Sequence, residues 1–245
     1  NRTINVGEPV GAVVPRKKGG AVLALKDGFA ALDLESESIN YIVEVEEDLT
    51  GNRFNDGKCD PAGRFWAGTM SMESSKPVGN FYCLDTDLIV KKVLDGITIS
   101  NGLTWSPDQE TMYFIDSPTR QVAAFDYDLE TGEINNKRVV VEIPENGGVP
   151  DGMTIDSQGM LWVAQWGGYQ VSRWNPETGD LLEQVPLPVA HVSSCSFGGK
   201  NLDELYITTA KAGLSEEELD EQPQAGCVFK VETNIKGSET YWFGG

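Results

Sequence analysis

A unit of about 45 residues recurs along the chain, and this repeat restricts the possible folds more than any other feature of the sequence. In three places an Asn or Asp opens an apolar segment and is followed by Gly. The Gly follows directly in Asn101-Gly102 and Asp151-Gly152, and after one further residue in Asn55-Asp56-Gly57. The leading residues of these three motifs are 46 and 50 residues apart. A second motif, in which Asp, Gly and Trp are spaced three residues apart, recurs as Asp60–Trp66 and Asp156–Trp162.

Short predicted strands, bounded by Gly, Pro, Asn and Asp, fill the remainder of each unit. Each unit holds four such strands, and the first strands are expected to begin near residues 10, 55, 101, 151 and 193. Five copies of a four-stranded unit predict an all-β fold made of antiparallel β-propeller blades. The acidic segment Ser215–Glu221 begins like a capped helix and is predicted to be a surface insertion.

The segment Arg2–Val6 resembles the last strand of an earlier blade. Because a propeller closes its ring to bury its last edge, an unpartnered strand is unexpected. We therefore predict a single six-bladed β-propeller domain over residues 1–245, with about five blades present and the N-terminal blade missing or incomplete. A five-bladed ring that closes on itself is the alternative.

The charge balance restricts the partners. The chain has 38 acidic and 19 basic side chains, which gives a net charge of −19. Such a field repels phosphate backbones and anionic lipids, so we expect neither nucleic acid nor membrane as a partner. None of Cys59, Cys83, Cys195 and Cys227 forms a C-x-x-C pair, which predicts reduced thiols in a cytoplasmic protein.

The Asn and Asp positions of the repeat form a candidate site. In a propeller the first strand of each blade lies nearest the axis, so Asn55, Asn101, Asp151 and Ser193 or Ser194 should converge at one end of the channel. Their oxygen atoms suit hard divalent cations such as Ca²⁺, Mg²⁺ or Mn²⁺. The alternative is that Asn-Gly and Asp-Gly are ordinary turn residues. Three copies in phase favour the site.

Other polar residues lie close to these Asn and Asp positions in the sequence. Arg53, two residues before Asn55, could bind a hydroxyl, carboxylate or lactone oxygen of a substrate. Glu73 ends a predicted strand whose following loop should return to the same channel end. The single histidine, His191, argues against His-dependent nucleophilic catalysis and is predicted to be a residue at the start of a strand.

Several motifs resemble those of the regucalcin, or senescence marker protein/gluconolactonase, family, which belongs to the lactonase superfamily of six-bladed propellers. The resemblance extends from about residue 5 to residue 245. The motifs that carry it are Asn52–Lys58, Asp60–Arg64, Ala67–Met70, Ile99–Leu103, Phe125–Leu129, Pro150–Met153 and Ser196–Asn201.

The resemblance implies a metal-dependent lactonase that acts on small sugar lactones, and we expect a monomer or weak dimer. One divalent cation (Ca²⁺, Zn²⁺, Mn²⁺ or Mg²⁺) would be held by Asn101, Asp151 and a Glu. Asp151 would also be the catalytic acid or base, and Arg53, Asn55 and Glu73 would bind the substrate. The family's Glu lies in a Gly-Glu-x-Pro-x-Trp motif that this sequence lacks. Gly7-Glu8-Pro9 has no following Trp and is predicted to be an ordinary turn.

Lactone hydrolysis, with the cation polarising the carbonyl group, is therefore the first functional hypothesis. The second is a calcium-binding regulatory protein without turnover, which should prefer Ca²⁺ over other divalent cations. The third is an organophosphate ester hydrolase, which should turn over phosphoesters faster than lactones.

Overall fold

Within the residues that the structure describes, nineteen strands form five antiparallel sheets. The computed structural model describes residues 2–73 and 76–245. Four of its sheets have four strands each and the fifth has three. This is the blade organisation of an all-β propeller, as the repeat predicts. The six-bladed ring stays a prediction.

The chain divides into two compact units. The first unit contains the residues up to Ser100, together with Leu129–Thr131 and Thr240–Gly245. It holds two blades. Blade 1 consists of β1 (Ala12–Pro15), β2 (Ala21–Ala24), β3 (Gly28–Leu32) and β4 (Ile39–Glu44). Blade 2 consists of β5 (Asn52–Cys59), β6 (Phe65–Ser71), β7 (Gly79–Leu84) and β8 (Val90–Ile97).

The second unit contains Asn101–Asp128 and Gly132–Glu239. It holds three blades, apart from the first residue of β9. Blade 3 consists of β9 (Ser100–Trp105), β10 (Thr111–Asp116), β11 (Gln121–Tyr127) and β12 (Ile134–Glu142). Blade 4 consists of β13 (Val149–Ile155), β14 (Leu161–Trp166), β15 (Gln170–Trp174) and β16 (Leu181–Pro186). Blade 5 consists of β17 (Val192–Gly198), β18 (Glu204–Thr209) and β19 (Val228–Glu232).

Burial decreases from the first three strands to the fourth in blades 2, 3 and 4, and from β2 and β3 to β4 in blade 1. Every residue of β2, β6 and β9 is buried, whereas no residue of β4 or β16 is. β2 is apolar throughout, whereas β6 and β9 bury Ser, Thr and Gly, and in β9 also Asn, among their apolar residues. The fourth strands are edges, and their polar and charged side chains face solvent.

The repeated Asp–Gly–Trp motif stabilises the turn between the first and second strands of a blade. Asp60 is fully buried, and its carboxylate accepts hydrogen bonds from the backbone N–H of Arg64 at 2.8 Å and from Trp66 Nε1 at 2.9 Å. In blade 4 the equivalent Asp156 accepts a hydrogen bond from Trp162 Nε1 at 3.0 Å. Each carboxylate therefore ties the turn to the strand that follows, which assigns this motif to the fold and not to a catalytic site.

Two smaller predictions have different outcomes. The helix α1 (Glu216–Glu221), the one α-helix in the described ranges, is capped by Ser215, whose side chain accepts a hydrogen bond from the N–H of Glu218. The predicted strand at Arg2–Val6 is wrong, since none of these residues belongs to a strand. No strand pairs with this segment in the described part; Ile4 and Val6 instead pack on buried residues of blade 1.

Two further findings concern the chain as a whole. The four cysteines, all within the described residues, form no disulfide, as their spacing predicts. Over residues 2–73 and 76–245, no helix has the length and apolar character needed to cross a membrane.

Candidate functional site

The Asn-Gly and Asp-Gly pairs lie inside strands, so they are not turn residues. Neither Gly102 nor Gly152 has a positive φ. Their missing side chains instead allow neighbouring first strands to approach closely: a Cβ on Gly102 would lie 2.6 Å from the carbonyl oxygen of Asp151. A Cβ on Gly152 would lie 2.8 Å from the Cα of Ser194. The repeat therefore brings β9, β13 and β17 together at the phase of the candidate site.

β-Bulges occur at the same phase of three first strands. In β5, Asn55 and Asp56 face the single residue Gly68 of β6. In β13, Asp151 and Gly152 face the single residue Ala164 of β14. In β17, Ser193 is the extra residue between two consecutive pairs. A bulge redirects the side chain of its extra residue and is often found beside active sites.

Asn101 lies in β9 and is 7% exposed. Its Nδ2 donates a hydrogen bond to Ser117 Oγ at 3.0 Å, and Ser117 Oγ donates to the carbonyl oxygen of Pro150 at 2.7 Å. Because its amide nitrogen is directed at Ser117, the Oδ1 of Asn101 points to the opposite side of the amide group.

Asp151 lies half-buried in the bulge of β13. The backbone carbonyl oxygen of Asp151 lies close to Gly102, so Asp151 is adjacent to β9, the strand that carries Asn101. We refer to Asn101 and Asp151 as the oxygen pair. Nowhere in the described ranges do three His, Cys, Asp or Glu side chains form a group that could hold a metal ion. The oxygen pair thus supplies one carboxylate and one carboxamide oxygen.

Arg53 and Asn55 contact each other in β5. Arg53 Nη1 donates to Asn55 Oδ1 at 2.9 Å and to the carbonyl oxygen of Phe54 at 2.8 Å. Asn55 Nδ2 donates to the carbonyl oxygen of Ser100 at 2.8 Å. Burial lowers the pKa of Arg53, but a guanidinium remains charged at neutral pH. The structure therefore brings together two of the three predicted substrate-binding residues.

Glu73 lies at a surface cavity of the first unit with a volume of about 390 Å³. Its side chain is 76% exposed, and its carboxylate lies 4.0 Å from Lys76 Nζ. Asn52, which precedes Arg53, lines the same cavity. The loop that was expected to direct Glu73 back to the channel end includes residues 74 and 75, which lie outside the described residues.

Glu46 is a residue that the sequence interpretation missed. It has a φ of 58°, in the left-handed region, although it is not glycine. Its carboxylate accepts hydrogen bonds from Asn52 Nδ2 at 2.8 Å, Thr69 Oγ1 at 2.8 Å, Asn80 Nδ2 at 2.5 Å and Tyr82 Oη at 3.0 Å. These four donors come from three strands of blade 2. Glu46 thus fixes the start of β5, next to Arg53. No short motif could have indicated a carboxylate with such distant partners.

Asp56 follows Asn55 in the bulge of β5. Burial raises the pKa of its carboxyl group, although Lys58 and the N–H of Gly57 both oppose this shift. Burial disfavours the charged form of a carboxyl group. Asp56 is therefore a further polar residue at the repeat position that defines the candidate site. Its position next to Asn55 was visible in the sequence.

Glu8 and His191 each have hydrogen-bond or ring contacts within the chain. The carboxylate of Glu8 accepts hydrogen bonds from the N–H of Lys26 at 3.0 Å and from Tyr41 Oη at 2.5 Å. His191 directly precedes β17, and its ring stacks on Trp166 with centroids 4.1 Å apart and planes inclined by 15°. Both side chains are therefore held by contacts within the chain.

Comparison with known proteins identifies a family. The family model described as "SMP-30/Gluconolactonase/LRE-like region" matches residues 1–211. The chain is 46% identical over 243 residues to regucalcin of Oryctolagus cuniculus, covering 97% of this chain and 81% of that protein. It is 44% identical over 248 residues to regucalcin of Homo sapiens, covering 99% of this chain and 83% of that protein.

Solved structures agree with this comparison. A luciferin-regenerating enzyme superposes with a TM-score of 0.91 at 36% identity, covering 98% of this chain and 83% of that enzyme. A calcium-binding protein, regucalcin, from Agrobacterium tumefaciens superposes with a TM-score of 0.92 at 27% identity. That superposition covers 97% of this chain and 80% of the bacterial protein.

Proposed function

Because the chain belongs to the SMP-30/gluconolactonase/LRE-like family, we propose that it hydrolyses sugar lactones with the help of one divalent cation. The observation that carries this proposal is the oxygen pair on two adjacent first strands. The missing side chain of Gly102 allows these strands to approach, and a bulge holds Asp151 out of the regular ladder.

The oxygen pair fits a cation by the chemistry of its donors. A carboxylate oxygen and a carboxamide oxygen are ligands that Ca²⁺, Mg²⁺ and Mn²⁺ accept. Zn²⁺ more often takes His and Cys ligands and matches this pair less well. The hydrogen bond from Asn101 Nδ2 to Ser117 supports the fit, because it leaves the amide oxygen available for a cation.

In the proposed reaction a water molecule attacks the carbonyl carbon of the lactone, and the ester bond to the ring oxygen breaks. The bound cation would supply a Lewis acid for the carbonyl oxygen. Asp151 accepts the proton that the attacking water loses and returns it to the ring oxygen, which leaves as an alcohol. The product is a hydroxy acid, whose carboxylic acid group then ionises to a carboxylate by releasing a proton to solvent.

Substrate binding is proposed for Arg53, Asn55 and Glu73. The guanidinium of Arg53 donates hydrogen bonds to substrate oxygen atoms, and Asn55 holds it at 2.9 Å. Glu73, with its exposed carboxylate, accepts hydrogen bonds from sugar hydroxyl groups. These roles rest on the resemblance of the motifs around these residues to those of the family.

The first test replaces Asp151 by Asn, which keeps the shape of the side chain and removes its charge. Loss of a general base lowers kcat/KM by roughly 10²- to 10⁴-fold, and we also expect weaker cation binding. The measurements are the hydrolysis of an aldonolactone and calorimetric titration with Ca²⁺ and Mn²⁺. The exposed Asp180, replaced in the same way, is the matched control and should behave like the wild type. Full rate and full cation affinity in Asp151→Asn would refute the proposal.

A second candidate function is calcium binding without turnover. It is favoured by the structural match to a bacterial protein described as a calcium-binding regucalcin. The same titrations discriminate between the two functions. A binding protein should prefer Ca²⁺ and leave the lactone unchanged, whereas a hydrolase should turn the lactone over in the presence of a suitable cation.

A further inference from the structure

Ser117 occupies a position that the proposed reaction does not use. It follows β10 directly and begins a short 3₁₀ turn, Ser117–Thr119. The residue is 4% exposed. The turn ends at Arg120, which has a φ of 59° and donates its N–H to the carbonyl oxygen of Ser117. Ser117 therefore has a well-defined backbone and a side chain that is removed from solvent.

The hydroxyl group of Ser117 lies between the two strands that carry the oxygen pair. It is 3.0 Å from Asn101 Nδ2 in β9 and 2.7 Å from the carbonyl oxygen of Pro150 in β13. Pro150 is the residue before Asp151, at the start of the bulge. One buried hydroxyl group thus connects the amide of Asn101 to the backbone that leads into Asp151.

The donors and acceptors of this chain of hydrogen bonds follow from elementary chemistry. A carbonyl oxygen can only accept, so the single proton of the Ser117 hydroxyl is directed at Pro150. The hydroxyl oxygen can then only accept from its other neighbour, which must present a donor. The amide of Asn101 therefore turns its nitrogen towards Ser117 and its oxygen away.

We infer that Ser117 is a positioning residue for a divalent cation at the oxygen pair: it fixes the amide orientation of Asn101 and ties it to the backbone before Asp151. This inference rests on the proposed function, because it assumes that the oxygen pair binds a cation. Residues that orient metal ligands through hydrogen bonds typically change metal affinity 10- to 100-fold when mutated.

The experiment measures cation affinity and not only activity. Isothermal titration calorimetry with CaCl₂ and with MnCl₂ is performed on the wild-type protein, Ser117→Ala and Ser117→Thr. We expect Ser117→Ala to bind roughly 10- to 100-fold more weakly, because the amide of Asn101 loses its fixed orientation. Ser117→Thr keeps a hydroxyl group and should recover most of the affinity.

Ser172→Ala is the matched control. Ser172 is also fully buried in the second unit, and its Oγ accepts a hydrogen bond from Trp174 Nε1 at 2.6 Å. Its removal should lower stability and leave cation affinity unchanged. Ser117→Cys, with a side chain of similar size but a weaker hydrogen-bonding group, should weaken binding in the same direction and replaces the Ala variant if that variant fails to fold.

The outcomes separate the two proposals. If the wild type binds a cation and the Ser117 variants bind it equally well, the positioning role is refuted and the proposed function stands. If the wild type binds neither Ca²⁺ nor Mn²⁺, the cation-dependent function fails, and the role of Ser117 fails with it. Weaker binding by Ser117→Ala and Ser117→Cys, with recovery in Ser117→Thr and unchanged affinity in Ser172→Ala, supports the inference.

Discussion

At the scale of the residue, two aspartates five positions apart show how their surroundings decide their roles. Asp156 is fully buried, and its Oδ2 accepts hydrogen bonds from Trp162 Nε1 at 3.0 Å and Arg173 Nε at 2.8 Å. Asp151 is half-buried in a bulge of the same strand pair. The first stabilises a turn, whereas the second is partly accessible to solvent. Sequence spacing distinguished them, because only Asp156 belongs to the Asp–Gly–Trp motif.

We predict that Asp156→Ala lowers the free energy of unfolding by about 3–5 kcal/mol, because it leaves the charge of Arg173 buried without its partner. The side chains of Arg173 and Asp156 are 10% and 0% exposed. Urea unfolding followed by tryptophan fluorescence measures this change. The control is Asp126→Ala, which breaks the exposed ion pair with Arg138. Exposed pairs contribute little, so equal effects of the two variants would contradict this interpretation.

At the scale of the element, the first strands of the blades combine two structural features that recur with the repeat. Glycines allow β9, β13 and β17 to approach, and bulges redirect the polar residues beside them. The strand starts were predictable within a few residues from turn residues and the repeat period. The function of the glycines was not, because close approach depends on a neighbouring strand about 50 residues away.

Gly102→Ala tests the close approach. The new Cβ would lie 2.6 Å from the carbonyl oxygen of Asp151 and 2.7 Å from the N of Met153, and neither backbone atom can move without shifting β13. We expect a loss of about 1–3 kcal/mol in unfolding free energy, measured by urea unfolding, together with weaker cation binding. In Gly51→Ala the added Cβ would meet no atom within 4 Å, so this control should unfold like the wild type. Wild-type stability of Gly102→Ala would be inconsistent with the packing described here.

At the scale of the whole molecule, the acidic surplus acts on the chain as a sum of charges. The net charge of −19 is carried by 38 acidic and 19 basic side chains. Most of the ion pairs described within residues 2–73 and 76–245 have at least one partner that is more than a quarter exposed, and such pairs contribute little. Repulsion among the surplus carboxylates should therefore outweigh these local attractions.

Moderate salt should consequently raise the midpoint of thermal unfolding. The screening length falls from about 30 Å at 0.01 M to about 8 Å at 0.15 M ionic strength, which weakens repulsion between distant carboxylates. Differential scanning calorimetry in NaCl, with EDTA present to exclude divalent cations, measures the shift. A midpoint that falls with added NaCl would indicate that attractive ion pairs dominate and would refute this prediction.

The sequence by itself determined the blade repeat, the order of the strands, and the phase of Asn55, Asn101 and Asp151. These features follow from local chemistry: turn residues bound the strands, and the recurrence of the Asn-Gly and Asp-Gly motifs fixes which residues share a position in the repeat. The same local signals showed that Asp60 and Asp156 share a recurrent motif, and the structure assigns that motif to a turn through their hydrogen bonds to Trp66 and Trp162.

Only the tertiary structure decided which residues, distant in the sequence, form hydrogen bonds with the residues at and beside these positions. Ser117 donates a hydrogen bond to the carbonyl oxygen of Pro150, which is 33 residues away. Glu46 accepts a hydrogen bond from Tyr82, which is 36 residues away. The segment Arg2–Val6 was misread because a strand requires a paired neighbour, and pairing is not a property of its own residues. Hydrogen bonds and close contacts between remote segments depend on how the strands pack, and a local sequence pattern carries no record of that packing.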